Sequence, residues 1–299
     1  FSSGRHDRAF YQTMWHELLT NGHWQGEVWD KHKDGELHAK YLTINTLRNP
    51  DGSIHRYVAL FSDITERKQS EELIWKQANF DTLTELPNRR MFLDRLAMDV
   101  EMSRLSGLPM ALLLIDLDQF KEVIDTLGHG VGDNLLKEAA FRIRSCVRTS
   151  DTVARLGGDE FVVILPELAD AIHVEDIAQK IIDKLAEHFV LGNEVIFVSA
   201  SVGITLYPAD AGNIEDLMKN ADQAMYEAKK NGRNRFSYYT HSLQESAQKR
   251  LRLTTDLRSA LVDNQLKVYF QPIIDLVTGR IHKAEALLRW QHPERGMVS

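Results

Sequence analysis

The chain carries Arg155-Leu156-Gly157-Gly158-Asp159-Glu160-Phe161 between two short apolar runs, Val153 to Leu156 and Phe161 to Leu165. A Gly-Gly pair in that position predicts a tight β-hairpin, because hairpin turns need a positive φ that glycine adopts without steric cost. The turn would bring the carboxylates of Asp159 and Glu160 close to a neighbouring strand, and its glycines would let a phosphate approach the backbone. The alternative is a polar hairpin tip without a ligand.

A second pair of acids ends another apolar run. The apolar residues Met110 to Ile115 are followed by Asp116-Leu117-Asp118, which predicts a buried central strand over Met110 to Leu117. Because side chains alternate along a strand, Asp116 and Asp118 lie on the same face if the strand stays extended. Carboxylates on adjacent strands suit Mg²⁺, which is often shared between carboxylates and phosphates. The alternative is a strand that ends in solvated acids.

A basic segment follows the helix predicted over Ile214 to Lys230: it is Lys229-Lys230-Asn231-Gly232-Arg233-Asn234-Arg235. Cations at the end of a helix are favoured by the helix dipole alone. The functional alternative is that Lys229 and Arg233 grip a polyphosphate.

The spacing of apolar residues predicts alternating helices and strands from about residue 81 to residue 240. This order indicates an α/β (α+β) domain in which helices pack on a sheet. The predicted helices are 88–106, 131–147, 169–189 and 214–230, and the predicted strands are 110–117, 153–156, 161–165 and 195–206.

The first segment of the chain predicts strands and turns. Three runs, Trp24 to Trp29, Leu37 to Leu47 and His55 to Phe61, are rich in aromatic and β-branched residues, and glycine-containing turns separate them. They predict a three-stranded antiparallel meander. From Thr65 to about Ala78 the sequence is charged and favours a helix, either a solvated linker or a short coiled coil that passes a signal between domains.

Composition limits the classes of function. The chain has 299 residues, of which 43 % are hydrophobic and 26 % are charged, values that suit about two soluble domains. A net charge of −7 argues against binding a nucleic-acid polymer, which needs basic surface. The single cysteine, Cys146, fits a core position and a reducing compartment. No membrane segment or signal peptide is indicated, so the chain is expected to be cytoplasmic.

The motifs together resemble the GGDEF family of diguanylate cyclases over about residues 79 to 240. The matching segments, in order, are Asp81-Thr82-Leu83-Thr84, Leu86-Pro87-Asn88-Arg89, Ile115 to Lys121, Asp125 to His129, Gly132-Asp133, Arg155 to Phe161, Ala221-Asp222, Met225-Tyr226, Ala228-Lys229 and Gly232 to Arg235. Their order and spacing match the family pattern.

The resemblance implies a palm-like nucleotide-cyclase sheet flanked by helices. Two such domains face each other as a homodimer, each holds one GTP, and the two GTP condense into cyclic di-GMP. The metal, Mg²⁺ or Mn²⁺, would be bound by Asp116 and Asp159, with the Leu117 carbonyl and Glu160 assisting. The substrate-binding positions implied by the family are Phe120, Ile124, Asp133, Gly157, Gly158, Lys229 and Arg233.

A product-binding site is implied by Arg148-Thr149-Ser150-Asp151. Five residues separate Asp151 from Gly157, the offset at which the family places its RxxD inhibitory site. Arg148 would pair with a phosphate or a guanine of cyclic di-GMP, and Asp151 with a guanine edge. The alternative is a charged helix end before a strand.

Two residues depart from the family pattern. Ile124 stands where the family has an asparagine that hydrogen-bonds guanine, and Glu85 stands where glycine is common. Isoleucine offers no hydrogen bond, so one polar group of the base loses its partner, at a cost of about 1–3 kcal/mol if that group is buried. We therefore expect weakened GTP binding or relaxed base selectivity.

The flanking segments resemble two other modules. Residues 1–65 are similar to the C-terminal half of a PAS sensor domain, residues 66–80 form the linker helix, residues 81–240 are the GGDEF domain, and residues 241–299 resemble the start of an EAL phosphodiesterase domain. In the EAL-like segment the implied site residues are Gln271, Glu285 and Arg289. Because a (β/α)₈ barrel cannot close on two strands, this segment is not expected to hydrolyse cyclic di-GMP by itself.

Two hypotheses remain open from the sequence. The first is a diguanylate cyclase regulated from its N-terminal side. The second is a GTP- or cyclic di-GMP-binding domain that controls an attached EAL phosphodiesterase. A passive dimerisation scaffold leaves the aligned acids unexplained.

Overall fold

The computed structural model describes residues 3–168 and 172–242, and beyond them residues 256, 257, 260, 263, 265–276, 278–293 and 296–298. The chain divides into two compact units, Phe1–Thr82 and Leu83–Ser299, here called the N-terminal and C-terminal units. The sequence after Ser242 also predicts a helix to about Asp263, and this segment lies mostly outside the described residues.

The N-terminal unit contains the predicted meander. Its strands are β1 (His23–Lys31), β2 (Leu37–Arg48) and β3 (Ile54–Asp63), antiparallel and in the order β1-β2-β3. A helix that the sequence analysis missed, α1 (Arg8–Asn21), precedes them. Its N-cap is Asp7, whose side chain accepts from the Phe10 N–H, and Gly22 ends it in the left-handed conformation.

The predicted linker helix is α2 (Thr65–Asn79). Asp63 accepts a hydrogen bond from the Thr65 N–H at 2.9 Å, which fixes the start of the helix. All of α2 is described, and none of its residues is buried in this chain. Its apolar residues Leu73, Ile74 and Trp75 are more than half exposed, so both alternatives for the linker stay open.

The C-terminal unit is built on a five-stranded mixed sheet in the order β10-β9-β4-β6-β5, which confirms the α/β fold class. Its elements are α3 (Arg89–Ser106), β4 (Met110–Leu117), α4 (Phe120–Leu127), α5 (His129–Cys146), β5 (Thr152–Gly157), β6 (Glu160–Leu165), α6 (Ile172–Ala186), β7 (Phe189–Leu191), β8 (Glu194–Ile196), β9 (Ala200–Tyr207), α7 (Ile214–Lys230) and β10 (Arg235–Tyr238).

The central strand β4 is buried at every residue. One face of the strand, with Leu113 and Ile115, packs in the same cluster as residues of α5 and α6. The other face, with Leu112 and Leu114, packs in the same cluster as Phe92 of α3 and residues of α7. Because helices cover both faces of β4, its sequence is a continuous apolar run and does not alternate between apolar and polar residues.

Close packing of α7 on β9 depends on Gly203. A Cβ at this position would lie 2.0 Å from the Ala221 carbonyl oxygen and 2.3 Å from the Met225 nitrogen. Only a residue without a side chain allows the helix to approach the strand so closely. This close approach fixes the position of the C-terminal end of α7, where Lys229 lies, relative to strand β9.

Several element predictions need correction. The strand predicted over 195–206 is two strands, β8 and β9, which belong to different sheets. Helix α4 and strands β7 and β10 were not predicted. Helix α6 is described from Ile172 onward, and residues 169–171 of the predicted helix lie outside the described residues.

The last described segment forms a three-stranded antiparallel sheet of β11 (Leu266–Ile274), β12 (Ile281–His292) and β13 (Gly296–Val298). The sequence predicts strands over Leu266 to Ile274 and Ile281 to Leu288, which correspond to β11 and β12, and β13 is additional. Among the described helices, none has the length and the apolar character needed to cross a membrane.

Candidate functional site

The predicted acids meet at one end of the central sheet. In the strand register, Asp116 of β4 lies opposite Glu160 of β6 on one side and Ser201 of β9 on the other. The Leu117 N–H donates to the Asp159 carbonyl at 3.3 Å. The hairpin between β5 and β6 therefore places Asp159 and Glu160 beside the end of β4, as the sequence predicted.

Asp116 forms an ion pair with Lys229 at the end of α7. Lys229 Nζ lies 2.7 Å from Asp116 Oδ1, and the carboxylate is nearly inaccessible. Burial raises the pKa of the Asp116 carboxyl from its ordinary 3.8 to about 6; Lys229 opposes this shift, and the charges of Asp159 and Asp118 add to it. The site therefore holds a carboxylate that needs a neighbouring cation in order to ionise at neutral pH.

Asp118 is buried more deeply and is tied to the backbone and to hydroxyl groups. It accepts hydrogen bonds from Ser199 Oγ at 2.6 Å, from Ser201 Oγ at 2.7 Å and from the Asn234 N–H at 3.2 Å. Arg233 Nε lies 4.0 Å from it. These bonds join the end of β4 to β9 and to the loop after α7, which gives Asp118 a structural role.

The two predicted cations thus lie against the two acids that end β4. Lys229 is about one-third exposed, whereas more than half of the Arg233 side chain is exposed. No motif in the sequence predicts a role for Ser199 or Ser201. Their alternation along the strand next to β4 was the available signal, but the pairing of β4 with β9 was not known.

The glycine turn is open to solvent. Gly157 has φ 146° and Gly158 has φ 53°, and no atom lies within 4 Å of the position that a Cβ would take at either residue. Arg155 donates from Nε and Nη2 to the Gly158 carbonyl at 3.0 and 2.7 Å. The guanidinium holds the turn in place, a role that the sequence analysis missed, while the backbone face stays accessible to a phosphate.

Ile124 occupies the seam between α4 and α5. Its Cγ1 lies 2.8 Å from the position of a Cβ on Gly132, and Phe120 Cζ lies 3.5 Å from the same point. Ile124 is partly buried and packs against the core, whereas Asp133 on α5 is exposed. The side chain at 124 is therefore used for packing helix α4 on helix α5.

The predicted product site borders a cavity of about 210 Å³ that Arg148, Asp151, Glu167 and His173 line together with apolar residues. Asp151 is buried and accepts from the Arg148 N–H at 2.8 Å and from Ser150 Oγ at 3.3 Å. Its carboxylate closes the turn between α5 and β5. Arg148 is exposed.

Comparison with known proteins decides the family. The family model described as "Diguanylate cyclase, GGDEF domain" matches residues 78–235. The chain belongs to the GGDEF family. A model described as "EAL domain" matches residues 254–299, which confirms the second resemblance, whereas the PAS resemblance stays a prediction.

Two curated relatives have names that refer to the making or the breakdown of cyclic di-GMP. MucR of Pseudomonas aeruginosa, a bifunctional diguanylate cyclase/cyclic di-GMP phosphodiesterase, is 41 % identical over 78 % of this chain and 34 % of its own length. NbdA of the same organism, a cyclic di-GMP phosphodiesterase, is 40 % identical over 75 % of this chain and 28 % of its own length. The chain thus spans about a third of the length of the curated relatives it matches.

Solved GGDEF domains resemble the C-terminal unit. The GGDEF domain of YfiN (TpbB) from Pseudomonas aeruginosa is 39 % identical, with a TM-score of 0.55, and covers 56 % of this chain and 99 % of that chain. The coiled coil and GGDEF domain of DgcB from Caulobacter crescentus, solved with cyclic di-GMP, is 28 % identical with a TM-score of 0.54, covering 58 % and 93 %.

The EAL-like residues lie on the three-stranded sheet. Gln271 of β11 and Glu285 of β12 are register partners, so both side chains lie on one face. Arg289 is partly buried and donates from Nη1 to the Leu288 carbonyl at 3.0 Å. Gln271 and Glu285 share a face as a common site requires, and their roles stay predictions.

The donor groups at the end of β4 fit a hard divalent cation. The available ligands are all oxygen atoms, the type that Mg²⁺ prefers: the carboxylates of Asp116 and Asp159 and the Leu117 carbonyl. Asp116 already pairs with one cation, Lys229. Within the described residues, no three carboxylate, imidazole or thiolate groups already surround one point. The substrate phosphates would have to complete such a site.

The raised pKa of Asp116 predicts a pH-dependent stability. The pKa of Asp116 is about 6 in the folded protein against the ordinary 3.8, so folding favours the protonated carboxyl. Its contribution to the free energy of unfolding is complete below about pH 3.8 and is lost as the pH rises through about 6. Asp116→Asn places a group at this position that stays neutral at every pH. Without divalent metal, we expect the free energy of unfolding of the variant to exceed that of the wild type by about 1–3 kcal/mol at pH 8.

Thermal unfolding in a chelator across this pH range measures the effect. The matched control is Asp133→Asn, which removes an exposed carboxylate from α5 and is expected to follow the wild type. Parallel pH profiles for wild type and Asp116→Asn would contradict the assignment.

Proposed function

We propose that this chain is a diguanylate cyclase module that condenses two GTP into cyclic di-GMP with Mg²⁺ or Mn²⁺. The observation that carries the proposal is the meeting of the Asp116–Lys229 pair with the open glycine turn at one end of the sheet. A buried carboxylate, a cation and an accessible backbone are together what a metal-bound triphosphate needs.

Each group has a role in this proposal. Asp116, Asp159 and the Leu117 carbonyl would hold the metal, assisted by Glu160, and the metal would polarise the α-phosphate. Lys229, which is paired with Asp116, would pair with the triphosphate when a metal ion neutralises that carboxylate. Arg233, which is already more than half exposed, would grip the same phosphates, because phosphoryl transfer depends on positioning and charge.

A homodimer follows from the reaction. One glycine turn and one carboxylate pair hold one nucleotide, whereas cyclic di-GMP contains two, so a second copy must present the other GTP. Such a substrate and the free thiol of Cys146 suit the cytoplasm. Residues 1–65 would act as a PAS sensor that regulates residues 81–240 through the linker helix 66–80.

The cyclase proposal predicts product from the purified chain incubated with GTP and Mg²⁺. Asp159→Ala removes a metal ligand and is expected to lower the rate by at least about a hundredfold, since the charge it supplies acts in the transition state. Chromatography of cyclic di-GMP measures both. GTP that binds with Mg²⁺ yet is never converted by the chain would contradict the proposal.

Base recognition is expected to depend on Ile124. Ile124→Asn places an amide in the seam between α4 and α5, so GTP affinity should increase by about tenfold to a hundredfold, while ATP affinity should not. Titration with each nucleotide measures the change. Ile124→Val, which keeps an apolar side chain over Gly132, is the control, and an equal gain for GTP and ATP would contradict this role.

Product inhibition is proposed at Arg148 and Asp151, where an exposed guanidinium borders a cavity. Arg148→Ala is expected to raise the concentration of cyclic di-GMP that halves the rate by about tenfold or more, because a charged hydrogen bond contributes about 1.5–3 kcal/mol. Initial rates with added product measure this. Arg144→Ala, an exposed arginine one turn earlier on α5, is the control, and equal inhibition of wild type and Arg148→Ala would exclude the site.

A second candidate function is a regulatory domain that binds GTP or cyclic di-GMP and controls an attached EAL phosphodiesterase. Two observations favour it. Ile124 fills the seam where, by the family resemblance, an amide would recognise guanine. The chain also continues into a match to the EAL domain, and one relative is named a cyclic di-GMP phosphodiesterase. Product from Ile124→Asn but none from the chain itself would favour this alternative. If GTP has no effect on the phosphodiesterase rate of a longer protein that contains this chain and a complete EAL domain, this alternative is excluded.

A further inference from the structure

The cavity beside Arg148 lies where two connections of the C-terminal unit run side by side. Thr152 at the start of β5 is the register partner of Ile164 near the end of β6, so the turn before β5 adjoins the connection from β6 to α6. The volume of the cavity is about 210 Å³, below the range of about 300–1,000 Å³ that is usual for sites that enclose a whole ligand. The cavity therefore suits one base of a dinucleotide, and the rest of such a ligand would lie outside it.

Asp151 is already used within its own turn. One carboxylate oxygen, Oδ2, accepts from the Arg148 N–H at 2.8 Å, and the other, Oδ1, accepts from Ser150 Oγ at 3.3 Å. Only 6 % of the residue is exposed. These bonds close the turn that carries Arg148, so Asp151 supports the site but has little surface left for a ligand.

Glu167 is the exposed carboxylate among the described residues that line this cavity. It lies in the connection after β6 and has φ 49°, a left-handed conformation that is uncommon for a residue other than glycine. Its neighbour Leu168 is buried and donates its N–H to the Pro109 carbonyl at 2.8 Å. Because these contacts fix the backbone after β6, they hold Glu167 at the rim of the cavity.

The charged groups around the cavity match two edges of guanine. One edge carries the acceptors O6 and N7, which a guanidinium such as that of Arg148 binds with two hydrogen bonds. Another edge carries N–H donors at N1 and at the exocyclic amino group. An ionised carboxylate only accepts hydrogen bonds, so it binds this edge of guanine but repels adenine, whose N1 is an acceptor.

We propose, on the basis of the product inhibition proposed at Arg148, that Glu167 selects guanine at this site and that His173 forms a wall against the base. Glu167 accepts hydrogen bonds from N1–H and the amino group of one guanine of cyclic di-GMP, while Arg148 binds O6 and N7 of the same base. His173, near the start of α6, is partly buried and lines the same cavity. Its ring stacks on the base, as aromatic side chains do on unpaired bases.

Calorimetric titration of the chain with cyclic di-GMP and with cyclic di-AMP tests the role of Glu167. Glu167→Gln is expected to lower the affinity for cyclic di-GMP by about tenfold or more, since a hydrogen bond to a charged group is lost. The preference for cyclic di-GMP over cyclic di-AMP should fall at least as much, because an amide donates hydrogen bonds as well as accepting them. Glu194→Gln, which removes an exposed carboxylate from β8, is the control and should bind both ligands as the wild type does.

Two substitutions test the ring of His173. His173→Ala should lower the affinity for cyclic di-GMP by about fivefold or more, the loss expected when an aromatic side chain no longer stacks on a base. His173→Phe keeps a ring and should bind within about twofold of the wild type. If circular dichroism shows that His173→Ala does not fold, the comparison of His173→Phe with the wild type decides the question.

The possible failures are distinguishable. If Arg148→Ala loses cyclic di-GMP but Glu167→Gln keeps the affinity and selectivity of the wild type, Glu167 does not bind guanine, although the product site stands. Binding that Arg148→Ala leaves unchanged, or no saturable binding by the wild type, would overturn this proposal together with the product site. A His173→Phe variant that binds as weakly as His173→Ala would overturn the stacking role. Because the titration contains no GTP, each outcome is independent of whether the chain makes cyclic di-GMP.

Discussion

A carboxylate held in a buried position at the end of the central strand sets the arrangement of the C-terminal unit. Burial opposes the charge of Asp116, and Lys229 at 2.7 Å compensates for it. Lys229 reaches this position because Gly203 lets α7 approach β9 closely. The next acid, Asp118, is satisfied by two serine hydroxyls and a backbone N–H. Polar contacts thus join layers that are otherwise held together by apolar packing, and they fix the edge of the sheet where the glycine turn lies.

The same constraint explains why the site suits a metal-bound triphosphate. A buried carboxylate that is paired with a lysine can pair with another cation instead, so that no buried charge is left unpaired, which would be costly. The turn beside it offers backbone without side chains, and Arg155 holds its shape through the Gly158 carbonyl. A turn held in one shape, next to a carboxylate that can pair with a new cation, is a preorganised arrangement that favours the binding of phosphates.

The sequence predicted the elements with strong local signals and missed those set by distant contacts. The glycine pair, the apolar run of β4 and the periodicity of α7 were sufficient for those three elements, since each depends on local conformation or continuous burial. Helix α1 was missed because only Met14 and Leu18 are buried along it. The partners of Asp118 were missed because Ser199 and Ser201 are more than 80 positions away along the chain. The pKa of Asp116 depends on burial by the whole fold, which no short segment encodes.

Packing alone explains Ile124 but not Asp116, and this difference sets a passive scaffold apart from a domain that binds a ligand. An isoleucine seated on Gly132 stabilises the seam between α4 and α5 by apolar contact, so packing alone explains it. The charge of Asp116 at neutral pH is different, because burial makes it cost about 3 kcal/mol for a pKa near 6. A domain that served only as a scaffold would gain stability from a neutral residue there. The charge of Asp116 lowers stability, and a cationic ligand that binds beside Lys229 would explain why it is there. Both the cyclase function and the regulatory function require such a ligand.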